Sequence, residues 1–296
     1  MKRPYRDTIA KLYLLFEAMS YDVKIAICTM GKKENLYAKE FVEYYLKLGV
    51  KHIFIYDDND PNTEKISDVI NGKYRNHITI YENIKKTVNN QSIAFTQCYK
   101  NNKNSFDWFL MIDMDEYLVI NNEKLKKYLS KEAFKKCDFI KIHWLLATDN
   151  NLLHYENKSL FERFKPPFIK NHLIKTIVKG NINNLQYDIH NPIYSPKRNI
   201  SCNNVGEILN EKAFSQNAVG KINVDNAYIL HFKFKSTEEF INKYKRGYSN
   251  WFTPEFLRMR INEYFKNNEI TLKKIIYMEK ELNINLSSFK KIIKKG

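Results

Sequence analysis

Glycine and proline are scarce in this chain, 8 and 7 among 296 residues, and no low-complexity tract appears. That composition excludes collagen-like, linker-like and disordered classes. No apolar run approaches the ~20 residues a membrane-spanning helix needs, so none is expected. The start is basic, Met1-Lys2-Arg3-Pro4, but the apolar stretch over 12–19 is too short and interrupted for a signal peptide. Cysteine is sparse as well. Positions 28, 98, 137 and 202 form no CxxC pair and no metal-type spacing, so four free thiols in a reducing, cytoplasmic setting are expected.

What is present supports a real core. Hydrophobic residues make up 44% and aromatics 14%, with 20 Tyr and 19 Phe, enough for one large domain or two small ones. Lys and Arg number 49 against 33 Asp and Glu, a net charge of +16. Such an excess suits an anionic partner: nucleic acid, an acidic membrane face or a phosphorylated small molecule. In a text rich in Lys, Asn and Ile, many of these lysines also read as solvated surface, so charge alone selects no function.

Between 22 and 120 short apolar runs alternate with helical patterns, the signature of βαβ units and an α/β fold. Residues 23–29 read as a first strand. A helical stripe follows at Tyr37, Phe41, Tyr44, Tyr45 and Leu48, stopped by Gly49. Residues 52–56 and 78–81 are further strands, 91–101 a helix, and 108–112 an interior strand apolar throughout. The middle, 139–235, reads as strands (139–144, 173–178, 227–234) and loops. From Ser236 the pattern turns helical, with a capping box at 236–239, a stripe at Phe240, Ile241, Tyr244 and Tyr248, and a second start at Thr253-Pro254. The division predicted is an α/β domain over 20–235 and a helical extension over 236–296 packed on it.

Ligands of open parallel sheets bind at the carboxyl ends of the strands. Three polar clusters fall there: residues 29–34, 57–60 and 113–116. Convergent carboxylates need a positive charge, and hard oxygens suit Mg²⁺ or Mn²⁺. Asp113 and Asp115 form a D-x-D directly after an apolar strand, where alternate residues project to one side and can address one metal. An acidic turn facing water has the same spacing. His231 closes another strand, and a lone histidine is by itself a weak ligand candidate.

The segments Asn35-x-x-Ala-Lys-Glu-Phe-Val-Glu-Tyr44, Ile55-Tyr-Asp57-Asp58, Asp107-Trp-Phe-Leu-Met-Ile-Asp113-Met-Asp115-Glu116-Tyr117 and His231-Phe-Lys-Phe-Lys-Ser-Thr-Glu-Glu-Phe240 together resemble nucleotide-sugar glycosyltransferases. More narrowly, over roughly 22–250, the chain is similar to the family 92 type and its bacterial relatives in the broad family 2 group. The resemblance implies a GT-A fold, a Rossmann-like mixed sheet flanked by helices. It also implies a hexosyltransferase activity, a UDP-sugar donor, a glycan or glycolipid acceptor, Mn²⁺ or Mg²⁺ as cofactor, and inversion. His231 becomes a third metal ligand beside Asp113 and Asp115. Thr29, Glu34, Asp57, Asp58, Gln91 and Asp113 become donor contacts. Lys233 and Lys235 follow His231 closely enough to meet phosphate as point charges; one solvated strand face explains them equally. Two departures stand out: Asp57-Asp58 replaces the usual Asp-Asn, and Leu145-Leu146-Ala147 replaces an aromatic-Gly loop.

A sugar hydroxyl needs a carboxylate to take its proton. Asp149 is the choice, because relatives carry a similar Asp-Asn pair beside the acceptor. Asp188 is the runner-up, and Glu156 and Glu162 follow; Arg163 and Lys165 make Glu162 a better structural ion pair. Trp144, Tyr155 and Phe164 are candidate sugar platforms or core. The basic helix expected at 288–295 is a candidate for peripheral contact with an anionic membrane. Two other classes stay open: a basic nucleic-acid-binding protein without catalysis, and a metal-dependent nuclease or nucleotidyltransferase.

Overall fold

A computed structural model of the chain describes residues 23–70, 72–82, 90–194, 199–209, 221–245 and 253–293. The expected Tyr248, Lys294 and Lys295 positions and the first 22 residues lie outside that set. The first half is a β-α-β run: β1 (Ile25–Gly31), α1 (Asn35–Leu48), β2 (His52–Asp57), α2 (Ile66–Val69), β3 (Ile78–Tyr81), α3 (Asn90–Asn102) and β4 (Trp108–Met111). Helix α1 forms because Tyr37, Ala38, Phe41, Val42 and Tyr45 recur on one face, and all five are buried. It stops at Gly49, whose φ of 107° is left-handed and whose N–H returns to the last turn. Strand β4 is buried at all four positions, as a strand covered on both faces must be.

The second half folds as β5 (Glu116–Ile120), α4 (Leu125–Leu129), β6 (Phe139–Leu146), α5 (Leu160–Arg163), β7 (Ile169–Lys179), β8 (Gln186–Tyr187), β9 (Pro192–Tyr194), β10 (Ser201–Cys202) and β11 (Ala227–His231). Among the described residues four helices follow: α6 (Thr237–Lys245), α7 (Pro254–Asn267), α8 (Leu272–Leu282) and α9 (Ser287–Ile293). Among the described residues the main sheet has nine strands in the order β3-β2-β1-β4-β7-β6-β11-β5, with β10 beside β6. The β1–β4 neighbours are parallel, β7 runs against β4 and β6, β11 is parallel to β6, and β5 runs against β11. The result is the expected mixed α/β sheet flanked by helices. Strands β1, β2, β4, β6 and β11 all end at one edge.

Two features differ from expectation. Strand β5 was foreseen only as the tail of the acidic motif; Tyr117 and Leu118 are buried, and the strand closes the sheet against β11. The four cysteines are not all free. Cys28 and Cys98 are buried thiols, whereas Cys137 and Cys202 form a disulfide. Pairing of β6 with β10 sets Ser201 opposite Phe139 and Cys202 opposite Ile140, bringing the two cysteine Cα atoms to 5.8 Å. That spacing is the usual one for a disulfide. No local motif announces it, because the partners are 65 residues apart in sequence.

Candidate functional site

At the carboxyl edge the apolar β4 gives way to Asp113, Met114 and Asp115 before the chain turns back as β5. The Glu116 N–H donates to the Asp113 carbonyl (3.1 Å) and the Phe232 N–H to the Asp115 carbonyl (2.8 Å), which pins the turn against β11. Glu116 lies directly opposite His231 in the β5–β11 ladder. Opposed residues of an antiparallel pair share a face, so the histidine and the acidic turn meet.

Three carboxylates and two ammonium groups are packed together here. Lys175, on β7 and with no exposed side-chain surface, places Nζ 3.1 Å from Asp113 Oδ2 and 3.4 Å from Glu116 Oε2. It also donates to the Ile189 carbonyl at 2.9 Å. Lys243, from α6, lies 2.8 Å from Asp115 Oδ2. Gln91, in the first turn of α3, donates to Asp113 Oδ1. Burial pushes all three carboxyls up, but Lys175, His231 and His190 together outweigh it at Asp113, and Lys243, His231 and Lys235 together outweigh it at Asp115, so both aspartates sit below their ordinary value. At Glu116 burial wins and the pKa is raised. Burial lowers Lys175, yet Asp113 and Glu116 more than restore it, and it stays charged.

His231 is lowered by burial despite the pull of Asp115, so its imidazole is neutral at pH 7. Its Nδ1 faces Glu116 Oε1 at 3.6 Å, and its Nε2 faces Asp115 Oδ1 at 3.4 Å. Neither Nδ1 nor Glu116 Oε1 has a hydrogen-bond partner among the described residues. A neutral ring carries one N–H. With that proton on Nε2 the ring donates to Asp115 Oδ1; with it on Nδ1 toward Glu116, the Nε2 lone pair faces the carboxylate and is open to a cation. A second carboxylate behind a histidine is the usual way to aim such a ligand. In that second tautomer Asp115 Oδ1 and His231 Nε2 would offer one oxygen and one nitrogen donor to a divalent cation. Asp113 does not join them: its oxygens turn to Gln91 and Lys175, and no group of three or more His, Cys, Asp or Glu gathers as a metal cage among the described residues.

The remaining expected residues divide. Thr29, at the end of β1, is buried, and its Oγ1 has no partner among the described residues. Asp57 is spent on the backbone, accepting from Asn59 N–H at 2.8 Å and Ile66 N–H at 2.7 Å, which is turn and helix-start chemistry. Asp58 accepts weakly from Asn90 Nδ2 at 3.4 Å. The two lysines after His231 point apart. Lys235 is buried, 3.1 Å from Glu34 and 3.8 Å from the centroid of the Tyr37 ring. Lys233 pairs with Glu263 of α7. Both expected phosphate contacts, and Glu34 with them, thus stand in ion pairs of the protein itself.

Asp149 is also reassigned. Only 1% exposed, it accepts from Tyr264, lies 2.7 Å from Lys274 Nζ, and takes the Asn151 N–H at 2.9 Å. Tyr264 and Lys274 come from α7 and α8, so this carboxylate fastens the C-terminal helices to the sheet. Glu162 closes the capping box of α5 with Ser159, and Glu156 pairs with Lys158. Phe164 is core, and Tyr155 stacks under Arg163.

Trp144, expected as a sugar platform or core residue, joins the site together with Lys175 and His190, which were not foreseen. Trp144 lies between two histidines, with ring centroids 4.4 Å from His231 and 5.2 Å from His190. The β6–β7 register slips between His143 and Trp144, a bulge of the kind that re-aims side chains beside active sites. Lys175 carried one signal in sequence: a lysine set among Leu173, Ile174, Ile177 and Val178 of the expected strand. A cavity of about 1270 Å³ lies at the opposite edge among the starts of β1 and β4 and the end of β7. Asp107 is its one carboxylate, so it is separate from this site.

Carboxylates and counter-charges thus converge on the carboxyl edge of the sheet, where ligands of open α/β sheets bind. Residues 21–286 match the model of glycosyltransferase family 92, and the chain belongs to that family. A family 92 protein of Oryza sativa subsp. japonica is 26% identical over 38% of this chain and 19% of its own length. One of Ricinus communis is 30% identical over 32% of this chain and 17% of its own. The matches thus span less than a fifth of these curated relatives. The crystal structure of S. aureus TarS, residues 1–349, is similar with a TM-score of 0.37 and 15% identity, over 83% of this chain and 71% of that one. Family membership favours glycosyl transfer over the nucleic-acid-binding and nuclease readings. No helix among the described residues is long and apolar enough to cross a membrane.

Proposed function

We propose that the chain transfers a hexose from a UDP-sugar to a hydroxyl of a saccharide or glycolipid, with inversion. The observation that carries this is the meeting of Asp115 Oδ1 and the neutral His231 Nε2 at 3.4 Å beside Lys243. Asp115 and His231 would hold Mn²⁺ or Mg²⁺, which when bound supplies positive charge for the leaving diphosphate. Lys243, partly exposed, offers a second positive charge to the same phosphates; Lys175 holds the carboxylates in place from below. Gln91 orients Asp113 toward the donor, and Thr29 and Asp58 line the nucleoside side. Measuring Mn²⁺-dependent hydrolysis across UDP-linked hexoses and N-acetylhexosamines tests the reading. Cleavage of one donor is expected; cleavage of none, with UDP itself unbound, contradicts it.

We also read 236–296 as an extension packed on a 20–235 transferase unit, supported by Phe234 of the β11 end meeting Tyr264 of α7 with ring centroids 5.8 Å apart. The exposed Ile292 and Ile293 beside Lys290 and Lys291 on α9 support peripheral membrane contact, which binding to anionic vesicles tests. A cytoplasmic location rests on Cys28 and Cys98 alone, because the Cys137–Cys202 bond is the mark of an oxidising setting.

A further inference from the structure

We propose that His190, not a carboxylate, receives the proton of the incoming hydroxyl. The inference rests on the UDP-sugar reading above and deepens it. His190 lies between β8 and β9, and its Nδ1 is 3.2 Å from the Ile174 carbonyl oxygen. A carbonyl only accepts, so the ring proton sits on Nδ1 and Nε2 keeps its lone pair. The ring packs against Trp144, which packs against His231, so His190 stands one indole away from the proposed cation ligands.

Its electrostatic setting suits a base. Burial and Lys175 push its pKa down to about 4 against the pull of Asp113, with His231 adding to the lowering. It is therefore unprotonated at neutral pH, with the basicity of an ordinary carboxylate. Asp113 stabilises the imidazolium once the proton arrives. Neighbouring polar atoms also await a ligand: Trp144 Nε1 and both amide atoms of Asn191 are buried without partners among the described residues.

The competing carboxylates are occupied. Asp149, Glu162 and Glu156 serve the pairs described above, and Asp188 accepts from Ser92 Oγ on α3 at 3.2 Å. In the step itself the hydroxyl O–H bond breaks and its proton moves to His190 Nε2. The oxygen forms its bond to the anomeric carbon as that carbon's bond to the phosphate oxygen breaks. The bonding pair leaves with the diphosphate, and the imidazolium later releases its proton to solvent.

Hydrolysis of the donor by water needs the same proton acceptor, so it serves as the probe. With Mn²⁺ and whichever UDP-hexose or UDP-N-acetylhexosamine the wild type cleaves, His190→Ala should reduce turnover by about 10²–10⁴-fold. UDP binding, measured by calorimetry, should stay within about twofold, a bound that a lost base leaves intact. Added imidazole should restore part of the turnover, which no purely structural role explains. Turnover within about fivefold of wild type overturns the proposal, as does loss confined to Asp188→Asn. Loss of UDP binding in His190→Ala also overturns it, because the residue would then serve the donor. Wild type that binds UDP but responds to neither variant refutes His190 alone; wild type that binds no UDP refutes the parent reading.

Discussion

Asp149→Asn distinguishes a strut from a base. The wild-type carboxylate sits 2.7 Å from Lys274 Nζ with both side chains at most 3% exposed. At an effective dielectric of 20, a pair at that distance attracts by about 6 kcal/mol before desolvation. What the experiment reads is the removal of one partner, which costs about 3–5 kcal/mol for buried pairs. Asparagine keeps the shape and Oδ1 as acceptor for Asn151, but it loses the charge and puts a donor where Oδ2 takes the Tyr264 hydroxyl and faces Lys274. Lys274 retains Asn151 Oδ1 at 2.8 Å and the Glu269 carbonyl at 2.9 Å, which places the expectation near the lower bound. Urea unfolding followed by tryptophan fluorescence should show a loss of about 3 kcal/mol. The thermal midpoint should fall by roughly 2–4 °C per kcal/mol. Donor turnover by the folded fraction at 20 °C should remain within about twofold, since a structural pair touches no reacting atom. Unchanged stability with turnover reduced about 10²–10⁴-fold would refute the reasoning and return Asp149 to the chemistry.

Three further outcomes follow from buried groups elsewhere. Burial raises the Glu239 carboxyl, but the buried Arg163 fork, Ser236 and Tyr37 outweigh it and hold its pKa down. A depressed carboxyl pKa stabilises above the unfolded value and loses that benefit as pH falls through the folded one. Glu239→Gln should therefore cost about 3 kcal/mol at pH 7, with the gap to wild type closing as urea titrations move below about pH 4.5. Reducing Cys137–Cys202, which closes a separation of 65 residues, should remove about 4 kcal/mol by chain entropy, seen as a lower midpoint in dithiothreitol. A Cβ on Gly180 would lie 2.0 Å from the Phe106 carbonyl oxygen, so Gly180→Ala should cost at least about 1–3 kcal/mol. Gly72→Ala, which meets only the Arg75 side chain, is the control; equal midpoints for the two would contradict the packing argument.

Much of the fold was legible because its signals are local. The stripe of α1, the Gly49 stop and the uniformly apolar β4 each need only a few neighbouring residues to be read. The D-x-D turn and the β11 histidine were legible for the same reason, and the structure sets them side by side. What escaped depends on partners far along the chain. Asp149 becomes a strut only because Tyr264 folds back onto it from 115 residues away. Lys233, Lys235 and Lys243 look alike in a lysine-rich text, yet Glu263, Glu34 and Asp115 give them three different fates. The disulfide waits on the pairing of β6 with β10. His190 gains its role only when Ile174 fixes its tautomer.

The central claim is that the carboxyl-edge turn binds a nucleoside diphosphate together with a cation. Thermal denaturation with UDP, with Mn²⁺ or with EDTA, on wild type and on Asp115→Asn tests it most directly. UDP at 100-fold its dissociation constant should stabilise wild type by about 2.7 kcal/mol with Mn²⁺ present. That gain should vanish in EDTA and in Asp115→Asn, which removes the charge between His231 and Lys243 while keeping the shape. Equal UDP stabilisation of the variant, or the same gain in EDTA, would contradict the account.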